Sequence, residues 1–347
     1  MNIRRKILRY LLLALLICMV GCSKHKKDEF TNPQTGEKET IQINRFDREL
    51  FAVPKTDLKT FLQDLYKKYP EMFASPIESE EYVKMIEKFI TDKYLTEAQS
   101  IVQSQYPDIS FLEKDLTSAF ALLQEQHSGV TLPKRFFTMI FGPADFSYMF
   151  ENRCYTNGDY SVVALDLYSY PQIEKNPYYS QMPQYMRNTL TREYIATDFM
   201  HMYLQNVTYK NIRDVYSNPD CTFLDAILQE GKYLYMVKNI LPQYQDYQVL
   251  RYTKEQMQWC VDNEKVIWGY IIGNKILYEK DRSKYLSLIA DGPTSRPLSD
   301  SPSRVGNYIG YNIINEFMGK EKISFDSLMN ITDSQLILKK SAYKPKK

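Results

Sequence analysis

From residue 41 onward the apolar positions fall first at a helical period, then at a strand period, then at a helical one again. Leu58, Phe61, Leu62 and Leu65 recur at three- and four-residue spacing behind Thr56 and Asp57, which predicts a helix capped by those two residues and interrupted by Pro70. The same spacing predicts a helix over about 79–90, with Tyr82, Val83, Ile86 and Phe89 inward, and another over about 111–126 on Leu112, Leu116, Phe120 and Leu123. His127 ends that third helix before Gly129, where a cation suits the negative end of the helix dipole. Residues 135–141 and 160–167 are rich in β-branched and aromatic side chains and read as strands of a small sheet, with Asn157-Gly158-Asp159 as a hairpin turn between Cys154 and Val162. A Pro- and Tyr-rich loop at 170–185 follows. Helices return at about 190–205, 222–241, 254–278 and 305–319, with a Pro-rich crossing at 292–302. The expected fold class is α+β, predominantly helical, with an amino-terminal helical section and a small sheet in one domain over 41–347.

The first forty residues follow a different logic. Residues 1–21 carry Arg4, Arg5, Lys6 and Arg9 and no acid, then an apolar run at 10–20 too short for a permanent membrane span, which is the order of an export signal. The junction Met19-Val20-Gly21-Cys22 resembles the bacterial lipoprotein box. That resemblance implies that Cys22 becomes the first mature residue, carries a diacylglyceryl thioether and an amide-linked acyl chain such as palmitate, and anchors the protein to a membrane. Residues 22–40 are polar and without period, so they read as a flexible tether in which His25 is solvated. Lys27-Asp28-Glu29 loosely resembles the acidic surface-export signal of some lipoproteins but lies farther from Cys22 than that pattern wants. The expected location is the cell envelope, periplasm-facing or surface-exposed.

Composition narrows the partners. The 347 residues are 44% hydrophobic and 25% charged, enough apolar material to bury a core. Without the four basic residues of the signal, 40 Lys and Arg face 42 Asp and Glu, a balance that gives no footprint for nucleic acid. No G-x-G-x-x-G or G-x-x-x-x-G-K-[ST] string occurs, which argues against nucleotide chemistry. Cys154, Cys221 and Cys260 are too few and too scattered for a disulfide scaffold or a CxxC metal site, though one disulfide is possible.

Candidate chemistry concentrates in the carboxy-terminal half. There is no G-x-S-x-G elbow, and of three histidines His201 alone stands where a base is wanted. Asp198, Glu230, Asp262 and Glu264 are acids of this half, but a glycosidase pair is defined by separation in space. Thr197-Asp198-Phe199-Met200-His201 lies in one expected helix and Glu230 in the next. A zinc peptidase of the glutamate-ligand type places H-E-x-x-H on one helix and a further Glu on the following one. His201 and Glu230 fit the second imidazole and the later carboxylate, whereas Thr197 replaces the first imidazole and Asp198 the base. A His/Glu pair holds zinc weakly, so hydrolysis and a metal cofactor are expected to be absent, with His201 bonded to Glu230 or Asp198 in the core. Arg304 opens the helix of Val305, Ile309, Ile313 and Phe317, where Gly306 and Gly310 are spaced for close approach of another element. It is read as paired with a helix acid, the alternative being an anion or carbonyl contact. Trp259 and Trp268 read as core, and the 29 Tyr could furnish a binding surface for glycan or protein.

Many short strings in register resemble the gliding motility lipoprotein GldB family, itself distantly similar to proteins predicted to be zinc-dependent proteases. They are Ile43-Asn44-Arg45-Phe46-Asp47, Asp166-Leu167-Tyr168, Leu228-Gln229-Glu230-Gly231-Lys232, Leu241-Pro242, Trp259, Asn263-Glu264, Ile267-Trp268, Ser301-Pro302-Ser303-Arg304-Val305-Gly306, Gly310 and Ser341-Ala342-Tyr343-Lys344-Pro345. The resemblance implies a degenerate zincin-like, gluzincin-type core and a non-catalytic envelope lipoprotein that supports gliding or surface-protein secretion machinery through protein partners. The alternatives are a zinc metallopeptidase with an unusual ligand set and a glycan- or peptidoglycan-binding lipoprotein.

Overall fold

The structure is a computed structural model that describes residues 40–54, 56–127, 129–209, 218–296, 298 and 300–346. The signal segment, Cys22 and the tether up to residue 39 lie outside the described residues. The amino-terminal section is built from helices α1 (Phe46–Phe51), α2 (Leu58–Lys68), α3 (Glu80–Thr91), α4 (Lys93–Gln105) and α5 (Ser110–Gln126). Leu112, Leu116, Phe120 and Leu123 of α5 are fully buried, as their spacing requires. Ser79 caps α3 with its hydroxyl accepting from the Glu81 and Tyr82 amides. Asp57 does not cap α2 in this way: its backbone is left-handed at φ +67°, and its side chain makes no capping bond.

Strands β1 (Ile43–Asn44), β2 (Arg135–Met139), β3 (Cys154–Thr156) and β4 (Tyr160–Ala164) form one sheet in the order β1-β2-β4-β3. Only β3 and β4 are antiparallel, joined through Asn157, whose carbonyl oxygen on the side chain accepts from the Asp159 and Tyr160 amides, and through Gly158 at φ +93°. The sheet is otherwise parallel. Phe136 and Phe137 point to opposite faces. Phe136 meets Phe120 of α5 and Phe199, while Phe137 joins Phe46, Leu65 and Tyr69 of the amino-terminal section.

Beyond the sheet the chain is helical: α6 (Phe146–Glu151, between β2 and β3), α7 (Gln184–Arg187), α8 (Ile195–Tyr203), α9 (Phe223–Ile240), α10 (Asp246–Val249), α11 (Lys254–Asp262), α12 (Glu264–Gly273), α13 (Arg282–Ile289), α14 (Val305–Glu321), α15 (Phe325–Asn330) and α16 (Ser334–Ser341). The architecture is therefore α+β, predominantly helical. The single helix expected at 254–278 is two, because the Asn263 side chain and amide both bond the Trp259 carbonyl and end α11. Cys154, Cys221 and Cys260 are buried thiols, and none forms a disulfide.

The short strings noted in the sequence have structural work to do. Arg45 clamps Asp47 through two bonds of 2.9 and 2.8 Å and reaches the Tyr106 carbonyl, while Asp47 also receives Thr138 of β2. This fastens β1, α1, α4 and β2 together. Asp166 accepts from the Phe141 and Gly142 amides and from Tyr179, which ties the Pro- and Tyr-rich loop to the sheet. Buried Glu264 receives Tyr343 at 2.6 Å, so the closing Tyr seals the carboxy-terminal helices. His127 ends α5 as expected, but its ring is paired with Asp326 rather than with the helix end.

Helices α9 and α14 cross at backbone contact. A Cβ on Gly231 would stand 2.5 Å from the Gly310 carbonyl oxygen, and one on Gly310 would stand 1.9 Å from that of Ile227. Gly310→Ala should therefore lower stability by about 3 kcal/mol or more, read as a fall in the urea midpoint. Gly319→Ala, at a position of the same helix with nothing within 4 Å, should be neutral or up to about 1 kcal/mol more stable.

Candidate functional site

Helix α8 is buried on nearly every side, and its polar residues therefore need partners. Thr197 satisfies its hydroxyl on backbone, donating to the Tyr194 carbonyl at 3.0 Å, with the Gln248 carbonyl at 3.3 Å. One turn on, His201 Nε2 lies 3.0 Å from Glu230 Oε1 of α9, and its ring meets Tyr233 edge to face. Both side chains keep about a fifth of their surface open to solvent (21% and 17%). Burial pushes the Glu230 carboxyl up, but His201, Arg304 and Arg251 outweigh it and hold it below the usual carboxylate range. Against an ionised Glu230 the His201 Nε2 must carry the proton and donate.

Asp198 turns away from that pair. Its side chain is 1% exposed and lies between two guanidinium groups, Arg153 Nε at 2.6 Å and Arg251 Nε at 3.2 Å, and it accepts from Tyr168 at 2.9 Å. Burial again pushes the carboxyl up, and the two arginines pull it below its ordinary value. Arg251 and Arg153 also lie over the Phe150 ring, at 4.7 and 4.6 Å from its centre.

The network continues to Arg304, which does not pair with a helix acid as its position suggested. It donates to the Leu250 carbonyl at 2.9 Å and to the Arg251 carbonyl, and its Nε stands 3.0 Å from Asp291 in the loop after α13. Carbonyl contacts and an ion pair with an acid are thus both present, the acid lying in a loop. Arg251 and Arg304 both have left-handed backbones, at φ +56° and +61°, a conformation that costs about 1–2 kcal/mol per non-glycine residue. Arg251 is held below its ordinary value by burial and by the like charge of Arg153.

The structure thus brings His201 to Glu230, and Asp198 and Arg304 into the adjoining ionic network, but it gives Thr197 no role toward either acid. Asp262 and Glu264 stand elsewhere, on α11 and at the start of α12, with Glu264 committed to Tyr343. Arg153, Arg251 and Asp291 were not singled out in the sequence. A single arginine between buried apolar residues, as in Val249-Leu250-Arg251-Tyr252, was the available signal. Among the described residues no group of three or more His, Cys, Asp or Glu side chains stands together as a metal site.

Asp198→Asn would leave two buried guanidinium groups short of a counter-charge and should cost about 3–5 kcal/mol at neutral pH, read by urea unfolding. Asp198, Glu230 and Asp291 all lie below their ordinary values in the folded chain. Their stabilisation is complete above the unfolded carboxyl value of about 4 and is lost as pH falls through the lower folded values. The urea midpoint should drop with acid over that window, and less steeply in the Asn variant.

No curated protein and no solved structure matches the chain. The model of the family described as gliding motility protein GldB matches residues 27–345. With Glu230-Gly231-Lys232, Arg304 and the clamped Asp47 all inside that span, the chain belongs to the GldB family.

Proposed function

We propose that this protein is a lipid-anchored, non-catalytic member of the envelope machinery for gliding or surface-protein secretion, built on a degenerate gluzincin-type core. The observation that carries the reading is the state of Asp198. At the position of a peptidase base stands a carboxylate already engaged by Arg153, Arg251 and Tyr168. A base must reach the water or proton it takes, and a carboxylate so engaged has neither the reach nor the basicity. Thr197 bonds backbone where a first imidazole would stand, and the His201 nitrogen that would face a metal faces Glu230 instead. The remaining pair offers two donors where a catalytic zinc takes three protein ligands, so the residues present do not fit a catalytic zinc.

Membership of the GldB family supports the gliding connection, and among the described residues no helix is long and apolar enough to cross a membrane. The attachment in this reading is the lipid on Cys22, with periplasm-facing or surface-exposed display set by partners. Protein partners, rather than nucleic acid or nucleotide, are the expected contacts.

Purified protein should contain far less than one zinc per chain and should cleave no member of a peptide library; stoichiometric zinc with cleavage would replace this reading by the metallopeptidase. His201→Ala should lower stability by about 1–3 kcal/mol, because Glu230 loses its partner. His201→Gln, which can still donate to Glu230, should restore gliding or surface-protein export in a strain lacking the gene. Cys22→Ser should move the protein from the membrane fraction to the soluble fraction of a cell lysate.

A further inference from the structure

On one sheet face the amino-terminal section packs through Phe46, Leu65 and Tyr69 against Phe137 of β2 and Val162 of β4. There a pocket of about 290 Å³ has Met139, Val162 and Ala164 as its floor. Two aromatic pairs wall it: Phe141 with Tyr148, ring centres 5.9 Å apart, and Tyr155 with Tyr160, 5.8 Å apart. Tyr148 and Tyr155 are 57% and 44% exposed, unusual for rings of that size.

The polar groups at the rim decide what fits. Asn152 gives one N–H of its side-chain amide to the Tyr148 carbonyl at 2.9 Å, which leaves the second N–H to donate and the side-chain oxygen to accept. The tyrosine hydroxyls can donate and accept. Glu71 is the one lining acid, and its charge is matched by Arg135 at 2.8 Å, so the pocket carries no net charge. A charged ligand would find no counter-charge here, and an acyl chain would gain nothing from the tyrosine hydroxyls and the Asn152 side chain at the rim. The volume lies at the small end of ligand pockets, roughly 300–1,000 Å³, which limits the occupant to one or two rings.

We infer that this pocket is a carbohydrate site that takes a neutral pyranose ring, its C–H face against Tyr148 or Tyr155 and its hydroxyls on the tyrosines and Asn152. None of these residues belongs to the His201, Glu230 and Asp198 network, so the two readings stand or fall separately.

The test is saturation-transfer NMR on the full mature chain in lipid nanodiscs, with neutral chito-, cello- and malto-oligosaccharides and with polygalacturonate as the anionic comparison. At least one neutral series should show transfer, weakened roughly three- to tenfold by Tyr148→Ala and again by Tyr155→Ala, with melting temperatures unchanged because both rings are exposed. Absence of transfer from every neutral sugar to the wild-type chain overturns the inference whatever the variants do. So does preference for polygalacturonate, or binding undiminished when both tyrosines are removed. A photocrosslinking residue in place of Tyr155 that traps a protein in intact cells, while the pure chain binds no sugar, assigns the face to that protein instead.

Discussion

The crossing of α9 and α14 at Gly231 and Gly310 fixes the geometry of everything around the site. With no side chain between them, the two backbones approach until a methyl group on either would strike a carbonyl. Glu230 precedes Gly231 and Lys232 follows it, and successive positions on a helix diverge by about 100°. One therefore faces His201, and the other buries its ammonium against the Ile331 carbonyl at 2.7 Å, where burial lowers it to about 8. The Glu-Gly-Lys string is thus one turn of helix serving three directions: the polar pair, the crossing and the carboxy-terminal turn. Arg304 stands where α14 begins.

The ionic network beside it is expensive to assemble. Three guanidinium groups and the carboxylate of Asp198 leave water together, with Asp291 partly exposed at their edge, and such a group returns the desolvation cost only when its geometry is good. Here it is uneven: Arg153 meets Asp198 closely, while buried Arg251 Nε and Nη2 complete no hydrogen bond. What the network does achieve is specificity of arrangement. Its members come from α8, the approach to β3, the end of α10, the loop after α13 and the start of α14, five segments distant in sequence. A shift of any one leaves a charge without its partner, which costs more than a lost apolar contact.

Much of this was legible in the sequence where a local period carried the information. The inward stripe of α5, the turn at Asn157, the close approach implied by Gly306 and Gly310 and the His201 to Glu230 bond all follow from spacing or from the need to satisfy a polar group. Helix α4 was not, because Leu95, Ala98 and Val102 make a thin stripe, and β1 has only two residues. The break between α11 and α12 depends on one side-chain amide competing with the helix. Arg153, Arg251 and Asp291 have no periodic signature, since ion pairs that span 13 to 53 residues leave no trace in local pattern. The partners of Arg304 are hidden for the same reason: the backbone carbonyls at 250 and 251, which every sequence supplies, and an acid that stands in a loop rather than on a helix.

Residue 198 therefore matters to more of the fold than its place beside His201 suggests. The bond between His201 and Glu230 alone would leave residue 198 free to vary. Instead, the side chain at 198 is the shared counter-charge of Arg153 and Arg251, and those arginines stack on Phe150 and extend through Asp291 to Arg304. A longer acid turned toward a metal would abandon two buried cations, a loss of several kcal/mol by the usual cost of breaking such pairs. Asp198, Arg153, Arg251, Asp291 and Arg304 are spent on holding five segments in register.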